Sequence, residues 1–174
     1  MADLRYPIGE FAPPSDVSDA QREAWLEEVA QLPEKLRLAL AGLSDAQLDT
    51  PYRPGGWTVR QVAHHLPDSH LNSYTRFKLA LTEENPTIRP YEEARWAALG
   101  DSKAPVEISL TLLDALHKRW VVLLDSLSES DWQRTFTHPA SKQTLTLAQS
   151  LANYAWHGEH HLAQITSLRE REGW

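Results

Sequence analysis

The sequence contains no cysteine and few glycines, 7 among 174 residues. Without cysteine the chain can form no disulfide, no thiolate metal cluster and no cysteine nucleophile, so any metal site must use histidines and carboxylates. The sequence also lacks a run of about 18 apolar residues, which a membrane span requires, and an apolar stretch typical of a secretion signal. We therefore expect a soluble cytoplasmic protein with no membrane partner.

Basic charge is scarce as well. The chain carries 17 lysines and arginines against 24 aspartates and glutamates, a net charge of −7 at pH 7, and has no basic run. A nucleic-acid-binding surface needs clustered positive charge, so nucleic acid is not the expected partner. A small-molecule ligand or a protein partner fits the composition better. The length predicts one domain over residues 1–174.

A repeated motif marks the starts of helices. It consists of Ser or Thr with Gln three residues later, the pattern of a capping box, which satisfies free backbone amides at a helix N-terminus. The motif occurs five times: Ser18–Gln21, Ser44–Gln47, Thr58–Gln61, Ser130–Gln133 and Thr146–Gln149. No segment shows sustained alternation of apolar and polar residues, so we predict no strand.

Four segments have apolar residues at the three- and four-residue spacing of a long amphipathic helix. The predicted helices span 19–41, 59–83, 105–127 and 147–171. Four amphipathic helices of this length predict an all-α fold, a four-helix bundle.

Two further segments complete the predicted architecture. Residues 1–17 contain three prolines and are expected to form an extended arm that lies across the domain or a partner. The connection between the second and third long helices is too long for a tight turn, and we expect a short helix at 91–99 within it. Pro33 is expected to kink the first helix.

The sequence WHGEHHLAQI near the C-terminus, residues 156–165, offers a pair of metal ligands. His157 and His161 lie four apart on the predicted fourth helix, so their side chains share one face with Cβ atoms about 5–6 Å apart. His160 is expected to point away. Gly158 costs helix stability and lies on the inward face, which suggests that space is needed there. Alternatively, both histidines are structural and satisfied by hydrogen bonds.

The second predicted helix supplies candidates for a third ligand in QVAHHLPDSH. A helical wheel places His70 inward, His65 beside the apolar stripe and His64 toward solvent, and a proline between them disturbs the wheel. Periodicity thus leaves His65 and His70 open and ranks His70 at least as high. We interpret His117 and His138, elsewhere in the chain, as structural.

Known catalytic motifs are absent. A zincin needs Glu directly after its first His, but here Gly158 follows His157, and Glu159 lies about 200° around the helix, too far to reach the same ion. There is no GxSxG elbow, phosphate-binding loop or dinucleotide fingerprint. Neither histidine-bearing helix has the Glu-x-x-His pair of a di-iron bundle, so a mononuclear site is the better interpretation.

Four segments together carry a family resemblance: GGWTVRQVAHHLPDSHLNSYTRFKLALTE, IRPYEEARW, ALHKRW and YAWHGEHHLAQI. With the N-terminal RYPIGEF, they resemble the DinB superfamily, and within it the YfiT-type metal-dependent hydrolases. The resemblance implies a four-helix bundle, usually homodimeric, that binds one divalent ion, zinc or nickel, through three histidines. Matched to the family pattern, these are His65, immediately before Leu in HHL, together with His157 and His161. The resemblance therefore favours His65 over His70.

The resemblance implies an enzyme with an open metal position, which leaves two chemistries possible. Such an ion can activate water for hydrolysis of a small molecule, or bind a low-molecular-weight thiol such as bacillithiol or mycothiol for S-transfer. A non-catalytic metal-binding or interaction bundle is the remaining alternative. No catalytic residue or general base can be assigned from the sequence. Candidates to support the ligands or line a pocket are Trp57, Asn72, Tyr74, Arg76, Asn153, Tyr154, Trp156 and Gln164.

Overall fold

The computed structural model describes residues 3–174. The four long helices are α1 Asp19–Leu40, α3 Val59–Thr82, α5 Val106–Asp125 and α7 Leu147–Glu172. Shorter elements lie between them: α2 Asp45–Leu48, α4 Glu93–Trp96, a 3₁₀ turn Gly100–Lys103, α6 Glu129–Trp132, β1 Thr135–His138 and β2 Gln143–Thr146. The predicted order of four long helices is confirmed, with ends that differ by at most two residues.

The long helices form a four-helix bundle in which each packs mainly against two others. Helix α1 lies beside α5 and α7, and α3 lies beside the same two helices. Consecutive long helices α1 and α3 are therefore diagonal to each other, as are α5 and α7. This order places α3 next to α7, the two helices that carry the predicted ligands.

The capping boxes predict the helix starts well. Four of the five are formed, with the hydroxyl groups of Ser18, Ser44, Thr58 and Thr146 accepting from the backbone amide of the Gln three residues on. The prediction at Ser130 is wrong. Helix α6 begins instead after Ser128, whose hydroxyl accepts from the Asp131 amide while Asp131 accepts from the Ser128 amide at 2.9 Å. A carboxylate three residues after Ser can perform the same reciprocal capping as Gln.

The prediction that the chain contains no strand is also wrong. Strands β1 and β2 form an antiparallel hairpin, with Thr135 opposite Thr146 and His138 opposite Gln143. Each strand is only four residues long, too short for alternation to stand out in the sequence. The hairpin is fixed by its environment, because Phe136 is buried against the bundle and Thr137 pairs with the connection that follows α3.

The core consists of two apolar clusters separated along the bundle axis. One includes Leu36, Leu66, Leu113 and Ile165, and the other includes Phe77, Trp120, Leu124, Leu147 and Leu151. Along α3, α5 and α7, His70, His117, His160 and His161 lie between the residues of the two clusters, and His64 and His65 lie at the end of the first cluster that faces the second. The bundle thus encloses a polar layer of histidines with apolar packing on both sides.

The N-terminal arm lies along α7. Tyr6 packs on His160 with ring centroids 5.6 Å apart, and Phe11 packs on Trp156 at 5.7 Å. The connection after α3 contains α4, which lies within the range 91–99 where a short helix was expected, and the 3₁₀ turn follows it. Within residues 3–174, no helix combines the length and the apolar character needed to cross a membrane.

Candidate metal centre

Three histidines from two adjacent helices meet in the polar layer. One ring nitrogen from each of His65, His157 and His161 lies within 4.8 Å of the others. The Nε2 atoms of His65 and His157 are 3.3 Å apart. The structure therefore brings together the three residues that the family resemblance selected, while their binding of an ion stays a prediction.

The orientation of His157 is set by a buried chain of hydrogen bonds that begins at helix α1. Residue 33 is proline and has no N–H, so it cannot make the helical hydrogen bond to the carbonyl of Val29. His117 Nδ1 donates to that carbonyl instead, at 2.6 Å. Because a carbonyl only accepts, the neutral His117 ring must carry its proton on Nδ1.

The remaining links of the chain follow from this first one. His117 Nε2 then accepts from His70 Nδ1 at 2.9 Å, and His70 Nε2 accepts from His157 Nδ1 at 3.1 Å. His157 Nε2 is therefore left with its lone pair, facing His65. His70 and His117 are fully buried, with exposed fractions of 0% and 1%. The protein thus selects the tautomer that a metal-binding His157 requires.

Gln164 acts on His161 in a similar way. Its Oε1 accepts from His161 Nδ1 at 2.9 Å, which leaves His161 Nε2 as the unprotonated nitrogen. Its Nε2 donates to His160 Nε2 at 2.9 Å and to the carbonyl of Arg5 at 3.1 Å. One glutamine therefore fixes a candidate ligand and ties the N-terminal arm to the site.

Burial keeps these imidazoles neutral. It lowers the pKa of His65 from 6.5 to about 4. Burial, with smaller contributions from neighbouring imidazoles, lowers the pKa of His157 and of His161 well below the ordinary value. Neutral rings at pH 7 offer lone pairs without prior deprotonation, as metal ligands must.

One pair of these nitrogens has the spacing expected of two ligands of a divalent transition metal. At a metal–nitrogen distance of about 2.05 Å, two ligands of a tetrahedral zinc site lie about 3.3 Å apart, which matches the separation of His65 Nε2 and His157 Nε2. Glu159 forms an ion pair with Lys35 at 2.6 Å, away from this site, as its position on the helix predicted. Three histidine ligands would leave a coordination position for water or substrate.

A cavity of about 380 Å³ opens onto the three histidines. Trp57 packs against His65 with ring centroids 4.7 Å apart and stacks parallel to His161 at 6.3 Å. Besides the histidines, the wall is formed by Arg5, Tyr6, Tyr52, Arg53, Gly55, Gly56, Trp57, Glu93, Trp156 and Gln164. The cavity is large enough for a small organic molecule.

Several expectations for individual residues are wrong. His64 does not face solvent: it is buried and bonds Ser109 Oγ at 2.6 Å and the carbonyl of Ala104 at 2.9 Å. His160 is buried beneath Tyr6 of the arm. Ser109 of α5 and the loop residue Ala104 cover His64, and the N-terminal arm covers His160; a helical wheel takes no account of such neighbours.

The expectation that space is needed at Gly158 is confirmed, and the neighbour that needs it is Leu32 of α1. A Cβ at this position would lie 2.6 Å from Leu32 Cδ2, so the glycine allows α7 to approach α1 closely. The space is therefore needed for helix packing and not for an ion.

Sequence reasoning missed the roles of His70 and His117, although it considered both residues. A signal was present, because His70 is inward on the wheel and His117 lies near the apolar stripe of its helix. Among the suggested supporting residues, Gln164 bonds a candidate ligand, and Tyr154 packs edge-on against His70 at 5.2 Å. Asn72 instead donates to the carbonyl of Asp68 within its own helix.

Comparison with known proteins identifies the family. The family model of the DinB superfamily matches residues 28–165, and the chain belongs to this superfamily. Relatives from Bacillus mycoides (strain KBAB4) and Bacillus cereus (strain B4264) are 58% and 57% identical over the whole of both chains. Both carry the name "putative metal-dependent hydrolase". The predicted family resemblance is thereby confirmed.

Solved structures support the same conclusion for the fold. YfiT from Bacillus subtilis, described as a probable metal-dependent hydrolase with an unusual four-helix bundle topology, is 52% identical. It aligns over 98% of each chain with a TM-score of 0.97. A mycothiol-dependent maleylpyruvate isomerase is 19% identical and aligns with a TM-score of 0.62 over 80% of this chain and 60% of its own. The second likeness concerns the fold alone.

Proposed function

We propose that this protein is a metal-dependent hydrolase of small molecules, with one divalent ion held by His65, His157 and His161. The observation that carries the proposal is the convergence of three neutral imidazole nitrogens at a cavity. Zinc or nickel fits a site built from imidazoles without thiolates. When bound, the ion would supply a Lewis acid that lowers the pKa of a coordinated water.

The chain's own residues hold the site ready for this chemistry. His70 and Gln164 fix the rings of His157 and His161, so little reorganisation is needed when a ligand arrives. The aromatic rings of Trp57 and Trp156 give the cavity an apolar part of its wall.

Glu93 is the only carboxylate that lines this cavity among residues 3–174. Burial raises its pKa, and the positive charge of Arg76 opposes that rise. A carboxylate with a raised pKa is a better proton acceptor, so Glu93 would take the proton that water loses. The variant Glu93→Gln should therefore lower kcat at neutral pH without lowering metal content, and unchanged kcat would exclude this role.

The decisive experiment is elemental analysis of the purified protein and its variants. We expect about one transition-metal ion per chain in the wild type, and loss of metal in folded His157→Ala and His161→Ala. His138→Ala is the matched control, because this histidine lies in the hairpin, outside the cavity, and should retain the metal. A wild-type protein that takes up no metal on reconstitution would refute the proposal.

Substrate screening distinguishes hydrolysis from the alternative that the family resemblance leaves open. Turnover of esters or amides by the metal-loaded protein alone would support hydrolysis. Turnover that requires an added low-molecular-weight thiol would establish S-transfer instead. Full metal occupancy without either activity would indicate a non-catalytic metal-binding bundle. The homodimer implied by the resemblance stays a prediction, which sedimentation would test.

A further inference from the structure

Two arginines line the cavity that opens onto the three histidines. Arg5 comes from the N-terminal arm and Arg53 from the segment between α2 and α3. Within residues 3–174, neither guanidinium has a carboxylate within 4 Å, whereas the buried Arg22 and Arg60 each pair with two. Arg5 and Arg53 therefore place two cationic groups, neither with an acidic partner within 4 Å, on the wall of the cavity that holds the three histidines.

The Arg53 guanidinium is held in place by two hydrogen bonds. Arg53 Nε donates to Tyr52 Oη at 3.1 Å and Nη1 donates to the carbonyl of Pro54 at 3.1 Å, which leaves Nη2 free to donate. Its Cζ lies 5.4 Å from the centroid of the Tyr52 ring. A guanidinium fixed in this way loses little entropy when it binds an anion.

Arg5 is restrained through its backbone and its neighbour. Its carbonyl accepts from Gln164 Nε2 at 3.1 Å, and its Cζ lies 5.2 Å from the centroid of the Tyr6 ring. Within residues 3–174, its guanidinium makes no hydrogen bond, so all five N–H groups remain available. Glu93 opposes the two positive charges on the wall with one carboxylate.

We propose that the cavity binds an anionic small molecule, with its carboxylate or phosphate group on Arg5 and Arg53. The planar fork of a guanidinium matches both groups, and the tyrosine and tryptophan rings of the wall accommodate an organic body. The placement of the reacting bond at the three histidines rests on the proposed function, but the anion subsite does not. The substrate class is therefore a small carboxylate or phosphate compound.

Calorimetric titration tests the subsite without turnover. The probes are succinate, inorganic phosphate and the uncharged succinamide, each added to the apoprotein and to the zinc-loaded protein. We expect anion binding to both forms, weakened at least tenfold by Arg5→Met and by Arg53→Met, and no binding of succinamide. Arg89→Met is the matched control, because Arg89 is exposed and outside this cavity, and should bind like the wild type. Tighter binding of phosphate or of succinate assigns the class of the anionic group.

Two results would overturn the subsite. One is anion binding that both arginine variants leave unchanged. The other is binding that needs zinc and ignores the arginines, which would place the anion on the ion and leave the proposed function intact. Arginine-dependent binding to a protein that takes up no metal would support the subsite and refute the proposed function. Arg5 lies on the arm, so its variant stays informative even if Arg53→Met fails to fold.

Discussion

Replacement of His70 by leucine tests the buried hydrogen-bond chain that orients His157. The change removes the acceptor of His157 Nδ1 and the donor to His117 Nε2, which leaves two buried polar atoms without partners. Each buried unsatisfied group costs about 1–3 kcal/mol, so the free energy of unfolding should fall by about 2–6 kcal/mol. Loss of the partner that orients a ligand should also weaken metal binding about 10- to 100-fold.

The assay separates these two effects with a matched variant. His64→Leu also removes a buried histidine with two hydrogen bonds, to Ser109 and Ala104, but has no link to His157. Urea unfolding of the apoproteins should show comparable destabilisation in both variants. Competition with a chelator should show weaker metal binding in His70→Leu, while His64→Leu stays close to wild type. Nitrogen NMR of His157 should show loss of the single Nε2-unprotonated tautomer in His70→Leu.

The reasoning has a clear point of failure. If His70→Leu and His64→Leu bind metal equally well, the chain through His70 has no influence on the site. If His70→Leu keeps the same His157 tautomer, the orientation of that ring has another cause.

Acid should destabilise the apoprotein because burial lowers the pKa of both His65 and His117 to about 4, whereas the unfolded chain has a histidine pKa of about 6.5. As pH falls from 6.5 toward 4, the unfolded state therefore binds more protons than the folded state. The free energy of unfolding should fall by up to about 1.4 kcal/mol per pH unit for each such histidine. Equal free energies of unfolding at pH 7.5 and pH 5 would contradict this prediction. Gly158→Ala gains about 1 kcal/mol of helix propensity but forces a Cβ against buried Leu32, at a cost of about 1–3 kcal/mol. We therefore expect Gly158→Ala to lower the free energy of unfolding measured in urea. Gly100→Ala is the control, because nothing lies within 4 Å of the added Cβ, and its stability should stay close to that of the wild type. A stabilised Gly158→Ala would show that the helices can separate without cost.

Much of the bundle was predictable because its signals are local. A capping box needs only four residues, and the boxes at Ser18, Thr58 and Thr146 locate the starts of three of the four long helices. The pairing of His157 with His161 follows from one turn of helix. The hairpin was missed because its four-residue strands are stabilised by burial of Phe136 and not by a pattern of their own.

The third candidate ligand shows the limit of periodicity. A helical wheel describes the angle of a side chain around one axis, and it ranked His70 at least as high as His65. Both residues contact His157, but on opposite ring nitrogens: His65 approaches Nε2 and His70 approaches Nδ1. The two histidines have different roles because they lie at different heights beside α7. Those heights depend on how α3 and α7 pack.

The sequence by itself determined the helices, their order and the helical face that carries His157 and His161, because these depend on interactions within a few residues. The tertiary structure decided the tautomers, the cavity and the burial of His64 and His160, because these depend on residues distant in the chain. Pro33 illustrates the difference. The sequence shows that it frees a carbonyl on α1, but only the packed bundle brings His117 of α5 to that carbonyl and so connects α1 to the candidate metal centre.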